Sequence, residues 1–134
     1  MNDGLYPTPT HELARMRREL APQAAAAFHD FSNAVFAAGA LSTKTKHVIA
    51  VAVAHVTQCP YCIKGHTRAA LREGATDGEL MEAIWVAAEM RAGAAFAHSI
   101  IAIAEMDGAP DRSTGSNVAP NLGPESPTGA DLDG

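Results

Sequence analysis

The two cysteines of this chain lie in one short segment, Cys59-Pro60-Tyr61-Cys62, and His66 follows four residues after the second. If a helix begins at Pro60, Cys62 and His66 lie one turn apart on the same helix face. Cys59 then lies at the helix N-terminus, where the helix dipole and free backbone N–H groups stabilise a thiolate. A dithiol beside a base is typical of a redox centre or a metal site.

Two further histidines precede the cysteine pair. His55 comes four residues before Cys59, and His47 comes twelve residues before it. We interpret His55 either as a site residue or as a core histidine that is hydrogen-bonded to the backbone. The spacing of His47 alone assigns it no role.

A metal site is the main alternative to a redox pair. Cys59, Cys62, His66 and His55 are four candidate ligands of a tetrahedral zinc ion, provided that they converge. A proline directly after the first cysteine and the apolar surroundings are at least as natural for a redox dithiol. The sequence therefore favours redox chemistry, with no metal and no cofactor.

The composition limits the class of protein. The chain has 134 residues, of which 47% are hydrophobic but only 5% aromatic, and its formal net charge is −5 at pH 7. This length suits one domain. Because alanine-rich helices bury little area each, they require close packing, and we expect a partner subunit. The acidic charge, with no basic patch, argues against a nucleic acid partner.

The N-terminal region lacks a basic stretch followed by an apolar run, and so we expect no secretory signal. The longest apolar run, Val48–Ala54, is too short to span a bilayer. These features predict a cytoplasmic protein with no membrane partner. In a reducing cytosol a CxxC motif is more typical of catalysis or metal binding than of a structural disulfide.

The pattern of apolar residues, helix caps, prolines and glycines predicts an all-α domain of about six helices. A buried strand is the alternative for the β-branched run that follows His47, but its length and the candidate N-cap Ser42 favour a helix. On the second predicted helix, Phe28, Phe31 and Val35 form an apolar stripe. The predicted helices run from Thr10 to Leu20, from Pro22 to a cap at Gly39, from Thr43 to about Thr57, from Pro60 to about Glu73, from the capping box Thr76–Glu79 to a stop or bend at Ala92–Gly93, and from there to Met106.

This pattern divides the chain into three parts. Residues 1–9 are polar and contain two prolines, and we expect an N-terminal arm. Residues 10–106 form the helical domain. Residues 107–134 are rich in Gly and Pro and predict a flexible C-terminal tail.

Four segments between about Leu41 and Ala104 carry a family resemblance: Lys46-His47-Val48-Ile49-Ala50, Cys59-Pro60-Tyr61-Cys62 with His66, Gly74-Ala75-Thr76 and Ala92-Gly93-Ala94. On these segments the chain resembles the alkylhydroperoxidase D-like members of the carboxymuconolactone decarboxylase family. The resemblance implies an all-helical fold that assembles through helical faces into a trimer or a hexamer. It also implies thiol-dependent reduction of a small hydroperoxide, with regeneration by an external dithiol or disulfide reductant.

The same resemblance implies that Cys59 and Cys62 are the redox pair and that His66 is the proton-relay base. The family's better-studied peroxidases carry a glutamate twelve residues before the first cysteine, and this chain has His47 there. His47 can pass protons near neutral pH, or Glu89 can supply the missing charge from another helix.

The order of attack stays open in the sequence, because the neighbouring base favours Cys62 and the helix terminus favours Cys59. The remaining alternatives are a metal-binding protein, a non-catalytic oligomeric protein of the same fold, and a decarboxylase-like lactone enzyme. The decarboxylases that give the family its name do not depend on a CxxC motif, and that activity is therefore the less favoured.

Overall fold

A computed structural model describes residues 5–109, and within that range the chain is all-α, as predicted. Residues 1–4 of the predicted arm and residues 110–134 of the predicted tail lie outside the described part. The chain divides into one compact unit up to Arg91 and a second from Ala92 onward. The helices are α1 (His11–Leu20), α2 (Pro22–Phe36), α3 (Thr43–Thr57), α4 (Pro60–Arg72) and α5 (Asp77–Gly108).

The described residues form five helices rather than about six, because α5 runs without interruption through the predicted stop at Ala92–Gly93. Gly93 lowers helix propensity by only about 1 kcal/mol relative to alanine, and its alanine-rich neighbours offset that loss. By length and composition α5 is also apolar enough to cross a membrane. Core helices of water-soluble proteins meet the same criterion, and this helix therefore assigns no location.

The end of α2 differs from the prediction. The helix ends at Phe36, where Ala37 turns to an extended conformation, and Gly39 does not adopt the left-handed conformation of a glycine cap. Side chains from α3 replace the glycine. The ammonium of Lys46 and the hydroxyl of Thr43 donate hydrogen bonds to the last carbonyls of this segment.

The predicted break between α3 and α4 is confirmed. Gln58 adopts the left-handed conformation (φ 56°, ψ 46°), and the N–H of Cys59 donates to the carbonyl of Ala54 at 3.1 Å. This bond is typical of a helix end with a left-handed residue. Pro60 then opens α4 at its first position, where a missing N–H has no cost.

The junction of α4 and α5 also follows its sequence signals. Gly74 has a φ of +87°, and the N–H of Ala75 donates to the carbonyl of Ala70 at 2.9 Å. The N–H of Thr76 donates to a Glu79 carboxylate oxygen at 2.8 Å, and the N–H of Glu79 donates to the Thr76 hydroxyl at 3.1 Å. These two bonds are the predicted capping box.

The core of the described residues is small. Helix α3 packs against both α4 and α2. Val51 and Ala70 are fully buried, Leu80 is nearly so, and Val48 and Ile84 pack against them. Because these side chains are few and mostly small, the chain by itself removes little apolar surface from water.

We predict opposite effects of alanine at two glycines that each have open space around the added Cβ, Gly74 and Gly65. Gly74→Ala should lower the free energy of unfolding by about 1 kcal/mol, because an L-residue is strained at positive φ. Gly65→Ala lies within α4 and should raise it by about 0.5–1 kcal/mol through helix propensity. Urea unfolding of the oxidised protein at one protein concentration measures both, and equal effects would contradict the assignment.

Candidate functional site

The cysteine pair forms a disulfide in the first turn of α4. Cys59 and Cys62 are bonded to each other, their Cα atoms are 5.3 Å apart, and both residues are partly buried. Cys59 is the N-cap of the helix, and its sulfur accepts the N–H of Cys62 at 3.2 Å. After reduction, the sulfur of Cys59 therefore lies where helix N–H groups and the helix dipole stabilise a thiolate.

His66 and His47 meet across the contact between α4 and α3. Their Nδ1 atoms are 3.1 Å apart, and both residues are partly buried. Such a contact requires one ring to donate and the other to accept, because neutral imidazole carries one N–H and imidazolium carries two. The pair therefore keeps its hydrogen bond while it holds at most one extra proton.

This contact also links the protonation of the two rings. When His66 donates from Nδ1, its Nε2 carries a free electron pair and can act as a base. If Nε2 of His66 takes a proton, the shared Nδ1 proton can move to His47. The second ring can then release a proton from its own Nε2, and this geometry therefore permits a two-step proton transfer.

The aromatic ring of Phe36 covers both histidines. Its centroid lies 4.6 Å from that of His47 and 4.9 Å from that of His66, in stacked orientations. The sequence gives no spacing signal for this contact, because Phe36 lies outside the predicted apolar stripe of α2 and the contact depends on where that helix ends.

Burial is the largest influence on His47 and lowers its pKa below the ordinary value of 6.5. The neighbouring His66 and Arg72 lower the pKa further, whereas Glu73 raises it. Glu73, two helical turns beyond His66, is thus a carboxylate that acts on His47. In the sequence, Glu73 follows His66 by seven residues, a spacing that places both on the same face of a helix. This spacing is the signal by which Glu73 could have been found.

His55 does not join this pair. Its Nδ1 is hydrogen-bonded to the carbonyl of Val51, one turn earlier in α3, at 2.7 Å. This contact matches the interpretation of His55 as a histidine that is hydrogen-bonded to the backbone. Within residues 5–109, no three His, Cys, Asp or Glu side chains are grouped to hold a metal ion. The site of four ligands considered above is therefore not formed.

A largely apolar cavity of about 600 Å³ lies between residues 5–9 and the start of α4, and the residues that line it include neither cysteine. Residues 5–9 cover it, and the Tyr61 hydroxyl donates to the carbonyl of Pro7 at 2.8 Å. Tyr6 contacts the ring of Tyr61 edge to face. Its walls include His55, Pro60, Tyr61, Ile63 and Lys64, several of which flank the cysteines.

Comparisons with known proteins agree with this fold and motif. The model of the carboxymuconolactone decarboxylase family matches residues 22–105, and the chain therefore belongs to that family. A relative from Paracoccus denitrificans, named uncharacterized protein 4 in cox locus, is 65% identical over 81 residues, which are 60% of this chain and 73% of the relative. An uncharacterized protein of Cupriavidus necator is 35% identical over 86 residues, covering 64% of this chain and 76% of that protein.

Two crystal structures are also similar. A protein from Methanobacterium thermoautotrophicum superposes with a TM-score of 0.59 at 38% identity, over 62% of this chain and 93% of its own. A carboxymuconolactone decarboxylase family protein from Legionella pneumophila, in its apo form, gives a TM-score of 0.55 at 38% identity, over 59% and 70% of the two chains. These matches place the CxxC motif in a known helical family.

The lowered pKa of His47 predicts a loss of stability in acid. Below pH 6.5 the unfolded chain binds a proton at this residue that the native protein resists. The free energy of unfolding should therefore fall as the pH drops from about 6.5 toward the lowered pKa of the native state. Urea unfolding at several pH values measures this slope.

His47→Gln should flatten the slope, because glutamine does not titrate. His29→Gln is the matched control, since the His29 side chain is 75% exposed. An equal slope in the wild type and His47→Gln would show that His47 does not resist protonation.

Proposed function

We propose that this protein is a thiol-dependent hydroperoxide reductase in which Cys59 and Cys62 alternate between dithiol and disulfide. One observation supports this most strongly: the disulfide lies at a helix N-terminus, and the base one turn beyond Cys62 is paired with a second histidine. Family membership is consistent with the proposal, since the chain carries the CxxC motif within the matched residues.

In the first step the thiolate of Cys62 attacks the distal oxygen of the hydroperoxide, and the O–O bond breaks. Cys62 becomes a sulfenic acid, and the other oxygen leaves as an alkoxide that takes a proton to give the alcohol. The sulfur of Cys59 then attacks the sulfenic sulfur, and the hydroxyl leaves as water. The Cα separation of 5.3 Å in the product lies in the ordinary range for disulfides.

The histidine pair carries the proton of the first step. Nε2 of His66 accepts the proton of the Cys62 thiol, which generates the attacking thiolate. The contact with His47 spreads the positive charge over two rings. The same proton then passes to the alkoxide leaving group, and the pair returns to its neutral form.

The proposed reaction needs two other reactants. The apolar cavity between residues 5–9 and α4 is the candidate site for the organic part of a small alkyl hydroperoxide. An external dithiol protein then attacks the partly buried disulfide and forms a mixed disulfide. It leaves in its own disulfide form, and Cys59 and Cys62 return to the dithiol. The predicted cytoplasmic location would supply such a reductant.

We predict that one equivalent of cumene hydroperoxide oxidises the reduced protein rapidly and that His66→Ala slows this step by about 100-fold, the usual contribution of a general base. Stopped-flow measurement of thiol loss gives the rates. His29→Ala, at an exposed position, should react like the wild type. Equal rates for His66→Ala and the wild type would remove His66 from the mechanism.

The two cysteine variants determine the order of attack. Cys62→Ser should not react with the peroxide, whereas Cys59→Ser should stop at a sulfenic acid that dimedone traps and mass spectrometry detects. The opposite pattern would make Cys59 the attacking residue. If neither variant is oxidised at a cysteine and both wild-type thiols persist, the peroxidase proposal fails.

We further propose that the protein works as a homo-oligomer, a trimer or a hexamer, assembled through α2 and α5. The predicted apolar stripe of α2 exists but lies open, with Phe28 and Phe31 69% and 64% exposed within the chain. On α5, Trp85 is 67% exposed. Burial of one such side chain stabilises an assembly by roughly 1.5–3 kcal/mol, and exposed apolar patches of this kind mark interfaces.

Phe31→Asp should therefore weaken the assembly, because a carboxylate would be buried at the interface. Light scattering coupled to size-exclusion chromatography measures the molar mass at several protein concentrations. Gln23→Asp adds the same charge to α2 away from the stripe and should leave the mass unchanged. A wild-type protein of monomeric mass at all concentrations would refute the assembly.

A further inference from the structure

Phe36 contacts both members of the histidine pair, His47 and His66. This contact includes neither cysteine. The ring is inclined by only 10° to that of His47 and by 24° to that of His66. The two imidazoles themselves are tilted by 35°, with centroids 5.3 Å apart. One flat side chain therefore packs against two rings whose Nδ1 atoms must face each other.

The position of Phe36 is fixed by hydrogen bonds to three successive carbonyls at the end of α2. The Lys46 ammonium donates to the carbonyl of Val35 at 2.7 Å and to that of Ala37 at 2.6 Å. The hydroxyl of Thr43 donates to the carbonyl of Phe36 itself at 3.1 Å. Both donors belong to the first turns of α3, directly before His47, and they hold the end of α2 against the histidine pair.

We propose that Phe36 is a positioning residue for the proton relay, and that Lys46 holds it in place. The inference rests on the proposed function, because it assumes that the pair serves the thiol. The terminal torsion of a histidine side chain is broad and roughly two-fold, so either ring nitrogen can face a neighbour. Stacking against Phe36 restricts both rings and keeps Nδ1 facing Nδ1, which leaves each Nε2 free for proton exchange.

The charged groups around the pair are the same in the Phe36 variants that test this role. Arg72 and Glu73 act on His47 from the end of α4. The ammonium of Lys46 stays bonded to the carbonyls of α2. A change at Phe36 therefore alters the ring contact and leaves these charges in place.

The test compares Phe36→Leu, which removes the flat ring, with Phe36→Tyr, which retains it. His29→Leu is the matched control, because His29 lies on the same helix and its side chain is 75% exposed. Two quantities are measured: the pH profile of the reaction of the reduced protein with cumene hydroperoxide, and the ¹⁵N chemical shifts of the histidine ring nitrogens in the oxidised protein.

We expect Phe36→Leu to slow the peroxide reaction by about 10- to 100-fold, the cost of a misplaced catalytic group, and to shift its pH profile. The ¹⁵N shifts should show mixed tautomers at His47 and His66. Phe36→Tyr and His29→Leu should react within about 3-fold of the wild type, a difference of less than 1 kcal/mol in activation free energy. Lys46→Met should reproduce the mixed tautomers with the ring still present.

A Phe36→Leu protein with wild-type rates, pH profile and ring ¹⁵N shifts would overturn the inference, and unchanged tautomers in Lys46→Met would overturn the role of the lysine. If the wild type does not reduce hydroperoxide, the proposed function fails, but the ¹⁵N shifts of the oxidised protein still decide the role of Phe36. Should Phe36→Leu fail to fold, Phe36→Met offers a second flexible side chain of similar volume for the same measurements.

Discussion

The structure depends on one backbone constraint, the break between α3 and α4. Pro60 cannot continue α3, and the left-handed Gln58 turns the chain so that a new helix begins beside the old one. The same break makes Cys59 an N-cap and leaves its sulfur in contact with the N–H of Cys62. It also folds α4 back on α3, which brings His66 to His47. The position of the disulfide and the histidine contact thus follow from a single turn.

The presence of His47 where better-studied peroxidases of the family have a glutamate changes the electrostatics of the relay. A carboxylate would stabilise an imidazolium at His66, whereas a second imidazole competes for the same proton. Burial lowers the pKa of His47, and Glu73 partly offsets this effect. The outcome is a pair of rings joined by a 3.1 Å contact between their Nδ1 atoms, under the ring of Phe36.

The sequence predicted those parts of the fold that local chemistry determines. The break at Pro60, the cap at Ser42 and the capping box at Thr76 each depend on neighbouring residues, and each is confirmed. Features that depend on distant contacts were missed. Lys46 belongs to α3, and its hydrogen bonds help to end α2. Phe36 contacts the histidine pair only because α2 ends at that point. Local patterns also could not show that the apolar faces of α2 and α5 are exposed within the chain, because an apolar stripe on a helix does not identify what covers it.

In the proposed reaction the dithiol of Cys59 and Cys62 reduces a hydroperoxide by two electrons and forms an intramolecular disulfide. The most direct test mixes the reduced protein with limiting cumene hydroperoxide and quantifies three products: cumyl alcohol, remaining thiols, and the Cys59–Cys62 peptide by mass spectrometry. We expect one molecule of cumyl alcohol and one intramolecular disulfide for each molecule of peroxide consumed. Persistent thiols with unreacted peroxide, or oxidation without the Cys59–Cys62 bond, would contradict it.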